Sequence, residues 1–167
     1  SWSEIEISKI HEGIDKMMAP LNREGGENPA IIVNELREMM QEKVGIIRSQ
    51  KLLEEALEEL EVFKERSASS SPGGGVIYNP GWHQALELDA MIVVSKMCAM
   101  AALWREESRG GHTRDDFPVP DHEKWGKINS VISMGEDGEM GIQSRRYPPI
   151  PSELKELLDA EDLEGEN

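Results

Sequence analysis

Ala90-Met-Ile-Val-Val-Ser-Lys-Met-Cys-Ala-Met-Ala-Ala-Leu-Trp104 is the longest apolar run of the chain, interrupted only by Ser95 and Lys96. A helical stretch that is apolar nearly all round reads as a helix buried at the centre of a domain. It falls short of the ~20 apolar residues that a membrane-spanning helix needs. Just upstream, Asn79-Pro80 offers an N-cap followed by proline in the first turn, so the helix is expected from about Pro80 to Ser108. Cys98, inside Met97-Cys98-Ala99-Met100, reads as a small buried hydrophobe.

Working back from this helix, three more amphipathic patterns appear. Ile7, Ile10, Ile14, Met17, Met18 and Leu21 recur at helical spacing, which predicts a helix over Ser3–Leu21. Asn28-Pro29 restarts the chain as a helix with Ile32, Leu36, Met39, Met40 and Val44 on one face, ended by Gly45. Ser49 can cap a third helix that turns Leu52, Leu53, Ala56, Leu57, Leu60 and Phe63 to the core. Its many glutamates read as a solvated face. Ser67–Gly75 reads as a flexible linker, and without a Lys-Ser/Thr end or a preceding strand it is not a phosphate loop.

Composition narrows the function classes. The 167 residues suffice for one domain with a core and an appendage, and 38% are hydrophobic. The formal net charge is −15, which argues against nucleic acid and against docking on an anionic lipid surface. A single cysteine cannot form an internal disulfide, a zinc–cysteine site or an iron–sulfur cluster. The acidic opening Ser1-Trp-Ser-Glu-Ile-Glu6 does not resemble a secretory leader. A start at Ser1 without Met suggests processing or a piece of a longer chain.

The central helix runs into Arg105–Phe117, which gathers three arginines, four carboxylates and one histidine around Gly110-Gly111. Loops this dense in ionisable groups commonly serve a site or a partner surface. His112, Arg114, Asp115 and Asp116, with His122 and Glu123 nearby, are candidates for acid–base work. A metal reading lacks a helical ligand frame. The competing reading is a charge network that pins the helix end, with Arg109 on the last carbonyls and Arg114 on a carboxylate. His11 is expected exposed, His83 to pack or cap, and the four tryptophans to act as core or interface anchors.

Beyond Pro118 and Pro120 the character changes. Lys127–Met134 and Met140–Arg146 can pair as a β-hairpin across Gly135–Gly138. A short capped helix is expected over 152–160, with a disordered acidic tail over 159–167. The organisation expected is thus a helical bundle over 1–117 and an extension over 118–167.

Glu107-Ser-Arg-Gly-Gly-His-Thr-Arg-Asp-Asp-Phe-Pro118 resembles the Glu-Ser-Arg-Gly-Ala/Gly-His-x-Arg-x-Asp-x-Pro signature of succinate dehydrogenase and fumarate reductase flavoproteins. The likeness extends to Glu35–Gly45 with its Val-Gly turn, to Leu52–Leu60, to Trp82–Met91 and to Tyr147-Pro-Pro-Ile-Pro151, the last similar to prokaryotic members. It implies the C-terminal part of such a flavoprotein. The fold implied is all-α, a spectrin-like three-helix bundle with a long buried helix plus the C-terminal extension.

The resemblance places the FAD-binding domain and the substrate-binding residues upstream, so no catalytic, cofactor-binding or metal residue is carried onto this chain. It implies a parent enzyme that oxidises succinate to fumarate through FAD, passing electrons to an iron–sulfur subunit and quinone. This domain would brace the flavin domain and the iron–sulfur subunit through Arg109, His112, Arg114, Asp115 and Asp116. It would be inactive alone, and cytoplasmic at the inner face of a prokaryotic cell membrane through partner subunits. L-aspartate oxidase and a free-standing helical interaction module are the alternatives.

Overall fold

Helices start where capping residues stand in the computed structural model, which describes residues 7–155. Helix α1 (Ile7–Met18) runs into a 3-10 turn at Ala19–Asn22. Asn28 accepts the Ala30 N–H at 2.9 Å and opens α2 (Pro29–Lys43). A short strand β1 (Ile47–Arg48) precedes α3 (Gln50–Ser69), whose cap Ser49 accepts the Leu52 N–H at 3.4 Å. Asn79 accepts the Trp82 N–H at 3.0 Å and starts α4 (Pro80–Trp104). Then come β2 (Thr113–Arg114), a 3-10 turn at Trp125–Lys127, β3 (Ile128–Met134), β4 (Met140–Arg146) and α5 (Ser152–Lys155).

The core is a three-helix bundle of α2, α3 and α4, closed around Ile32, Leu36, Leu53, Leu60, Leu88 and Ile92. These residues stand at the helical spacings read from the sequence, so each helix turns one apolar stripe inward. β3 and β4 pair antiparallel from Ile128↔Arg146 to Met134↔Met140, and Gly138 in their turn takes φ +80°. Buried Trp125 meets Trp104 edge-to-face at 4.6 Å and fastens this extension to the end of α4. The expected helix start at residues 3–6, the helix over 156–160 and the acidic tail lie outside the described residues.

Four expectations need correction. α4 is central in sequence but not wrapped on all sides: Val94 is 57% exposed and Cys98 is exposed. In a three-helix bundle each helix has two neighbours, so an apolar run keeps an outer face. α1 joins no core, since none of its residues is buried. His83 is exposed beside Trp82 rather than packed. Ser67–Gly75 is pinned rather than a flexible linker. Ser67–Ser69 finish α3, Arg23 donates to the Ser70 carbonyl at 3.0 Å, and Asn79 Nδ2 donates to Gly73 and Gly75 carbonyls at 2.7 and 2.9 Å.

Candidate functional site

The site is built by a chain reversal just past α4. Arg109 and His112 exchange backbone hydrogen bonds of 2.8 and 3.0 Å, and Gly110 between them takes φ +58°. Glycine tolerates that left-handed conformation without strain. The reversal brings Arg114 back beneath the last turn of α4. There one guanidinium nitrogen donates to the carbonyls of Ala102, Leu103 and Arg105 at 2.9, 3.1 and 3.3 Å. These are carbonyls that a helix end leaves without partners. The remaining nitrogens fork onto Asp116, both at 2.7 Å. Asp116 also accepts the Gln50 N–H at 2.9 Å, so Arg114 and Asp116 tie the end of α4 to the start of α3. The Arg114 guanidinium holds the Asp116 carboxyl down to about 2.

A second knot lies one turn away. Glu107 is fully buried and accepts from Arg105, from Arg109 at 3.0 and 3.1 Å, and from the Asp121 N–H at 2.8 Å. Burial pushes its carboxyl up, but these donors outweigh that and hold it below the usual range. Arg105 reaches on to the Ile128 carbonyl at 3.1 Å and covers the Trp125 ring, so this knot carries the C-terminal extension.

His112 joins the loop to β1. Arg48 donates to its Nδ1 at 2.6 Å, and its Nε2 donates to the Arg105 carbonyl at 3.1 Å. An acceptor Nδ1 and a donor Nε2 define the neutral ring, a tautomer assigned from the hydrogen-bond network. Burial lowers the His112 pKa, and Arg48, Arg114 and Arg105 lower it further against the pull of the Arg105 carbonyl. Backbone pairing completes the joint: β1 and β2 run parallel, Ile47 beside Thr113 and Arg48 beside Arg114.

Arg109, His112, Arg114 and Asp116 therefore meet in one network, while the Asp115 side chain is exposed and its N–H bonds the Arg48 carbonyl at 2.9 Å. The sequence reading put Arg109 on the helix carbonyls; that position belongs to Arg114, and Arg109 pairs with Glu107. His122 and Glu123 are exposed, and Glu123 pairs with Lys127 at 3.0 Å. Glu107, Arg105 and Arg48 were not singled out. Glu107 opens the recognised signature, and Arg48 follows the Val-Gly turn, which were the available signals. Every buried side-chain polar atom described has a partner. Among the described residues no group of three or more His, Cys, Asp or Glu side chains could hold a metal ion. Both His112 nitrogens are engaged, so the arrangement can fix the loop in place.

Residues 33–156 match the family described as "Fumarate reductase flavoprotein C-term". The chain belongs to that family. This flavoprotein C-terminal domain is 36% identical over 142 residues to the fumarate reductase flavoprotein subunit of Helicobacter pylori, covering 84% of this chain and 20% of that one. It is 34% identical over 123 residues to the succinate dehydrogenase flavoprotein subunit of Coxiella burnetii, covering 71% of this chain and 21% of that one. Among solved structures, Mycobacterium smegmatis Sdh1 in complex with UQ1 superposes with a TM-score of 0.87 at 32% identity, over 99% of this chain and 28% of that chain. Adenylylsulfate reductase of Archaeoglobus fulgidus, 21% identical with a TM-score of 0.75 over 88% of this chain and 26% of its own, shares the fold. The domain thus spans about a fifth of the length of the curated relatives it matches. Among its described residues the β1–β2 pairing is two residues long, and no Gly-rich turn of the dinucleotide-binding type joins a strand to a helix.

Proposed function

We propose that this chain is the bracing domain of an FAD-dependent succinate dehydrogenase or fumarate reductase flavoprotein. In that reading the parent enzyme interconverts succinate and fumarate and passes electrons towards quinone through an iron–sulfur subunit. FAD is held elsewhere in the parent polypeptide, and this domain alone is inactive. The domain sits at the inner face of the cell membrane through partner subunits. No helix among the described residues is long and apolar enough to cross a membrane.

One observation carries the reading. The charged loop satisfies itself internally, and what it turns outward is an open edge: a Cβ at Gly110 or Gly111 would meet nothing within 4 Å. Arg114 is 1% exposed and supports that edge from beneath. Arg109 and His112 close the reversal on either side of the two glycines, and Asp115 and Asp116 follow behind Arg114. A fixed edge with small residues at its tip suits close approach by a partner backbone.

The test is Gly111→Trp. The isolated domain should keep its melting temperature and stay colourless with or without the substitution. In the complete flavoprotein the same change should reduce flavin content or recovery of the iron–sulfur subunit, with the KM for succinate nearly unchanged in what assembles. Normal assembly with a collapsed succinate step would make the loop catalytic and reject the bracing role.

A further inference from the structure

Three parts of the chain that are far apart in sequence meet around a cavity of about 390 Å³. On α4, Asp89, Ile92, Val93 and Lys96 follow at helical spacing and line one side. On α3, Glu61 and Lys64 line a second, and the hairpin closes the third with Met134, Glu139 and Met140. Ile92 is 4% exposed and forms an apolar floor. Met134 and Met140 are partners across the hairpin and supply two pliable side chains beside it. A cavity of this size, with apolar walls and a few polar groups, has the make-up of a small-molecule site.

The charges at its rim are not equivalent. Lys96 donates to Glu61 at 2.5 Å and holds that carboxyl below the ordinary range, and Lys64 stands 3.9 Å from the same carboxylate. Both ammonium groups are thus committed to one acid. Asp89 is different. Ser67, itself 3% exposed, donates its hydroxyl to Asp89 Oδ1 at 2.6 Å. That buried donor fixes the carboxylate at the rim, and no cation among the described residues forms an ion pair with it or with Glu139.

We propose that this cavity binds a small organic ammonium ion with an aromatic body, its charge on Asp89 and its ring over Ile92 beside the two methionines. A carboxylate ligand meets no free cation here, and the formal charge of −15 adds a field that favours cations. Succinate and fumarate are disfavoured on the same ground, since small dianions can use neither Asp89 nor the apolar walls. Thioether sulfur against an aromatic ring adds a favourable contact, so an arylalkyl ammonium suits the walls better than a purely polar cation. The cavity shares no residue with the charged loop past α4, so its occupancy is independent of the bracing role. Such a ligand touches α3, α4 and the hairpin at once, and therefore fastens the extension to the bundle.

The experiment is a titration of this chain, carrying isotope-labelled methionine methyl groups, with phenethylammonium. The methyl resonances of Met134 and Met140 should move together and saturate, while those of Met17 and Met39, outside the cavity, should stay in place. Asp89→Asn keeps an acceptor for Ser67 but removes the charge. It should weaken binding by roughly ten-fold or more, as loss of one charge-assisted hydrogen bond implies. Val93→Trp, at a position 40% exposed, should fill the cavity and abolish binding with the melting temperature retained. Should that variant not fold, the near-isosteric Asp89→Asn decides alone. Hydrocinnamate, with the same ring and the opposite charge, should leave the spectrum unchanged, as should succinate. Absence of a saturable shift at Met134 and Met140 up to ~10 mM overturns the proposal. Equal binding of phenethylammonium and hydrocinnamate, or undiminished binding in Asp89→Asn, overturns it too, because the cavity would then select an apolar surface and not a cation.

Discussion

The two ends of α4 solve the same problem in opposite ways. At its C-terminal end the carbonyls of Ala101, Ala102 and Leu103 find donors within the chain, and two buried charges, Arg114 and Glu107, are each surrounded by partners. At its N-terminal end a whole helix, α1, leaves its apolar stripe uncovered. The helix between them is 25 residues long, about 37 Å, so the two ends are separate structural units. Polar closure is complete without help; apolar closure is not. Buried charge must be satisfied where it lies, because leaving it unpaired unfolds the region, whereas an apolar stripe can wait for a partner at lower cost.

The sharpest way to break this contrast is Arg114→Ala. It strands the Ala102 and Leu103 carbonyls, while the Arg105 carbonyl keeps its His112 donor, and it leaves Asp116 without its counter-ion. Each buried acceptor left without its donor costs about 1–3 kcal/mol. Urea unfolding of the isolated chain should therefore show a large fall in midpoint. Arg114→Lys should recover only part of it, since an ammonium cannot fork onto Asp116 while reaching the carbonyls. A midpoint shift below about 0.5 kcal/mol, the size of an ordinary surface change, would show that the knot does not hold the helix end.

A second comparison uses the same method on apolar positions. Leu88→Ala removes a fully buried side chain and should cost roughly 2–5 kcal/mol. Ile14→Ala, at 51% exposure, should cost under about 0.5 kcal/mol in the isolated chain. Similar costs at the two sites would mean that α1 already packs somewhere in this chain.

What was legible in the sequence follows the range of the interactions involved. Asn28, Ser49 and Asn79 were readable as caps because a cap acts on the next two or three residues. The hairpin was readable because its turn and both strands are contiguous. The inward stripes of α2 and α3 were readable from their period. The outer face of α4 was not, because Ala90–Trp104 is apolar on all sides and periodicity cannot say which side has a neighbour; Cys98 was misplaced for that reason. The β1–β2 pairing joins residues far apart in sequence through two positions each, too short to leave a pattern. At the site, the loop and its charged members stood out, but the division of labour between Arg109 and Arg114 did not. It depends on the reversal at Gly110, which carries Arg114 under α4 and swings Arg109 out to Glu107.

The smallest expected effect concerns pH, and it tests whether polar closure depends on His112 being neutral. In the folded chain burial and three arginines depress the His112 pKa below its ordinary value. The unfolded chain therefore binds a proton at higher pH than the folded one does. By linkage, the His112 contribution is fully present above the ordinary histidine range, near 6.5, and is lost as pH falls through the depressed folded value. The structural cause is specific: a proton on Nδ1 would face the Arg48 guanidinium that now donates to it at 2.6 Å. Stability of the isolated chain should decline gently as the pH is lowered from 7 towards 5. His112→Gln, whose amide keeps one donor and one acceptor but does not titrate, should flatten this slope while lowering stability at pH 7 only slightly. Asp116, held down to about 2, stays charged across this window and adds no slope there. An unchanged slope in His112→Gln would assign the titration to another group and remove His112 from the joint between the loop and β1.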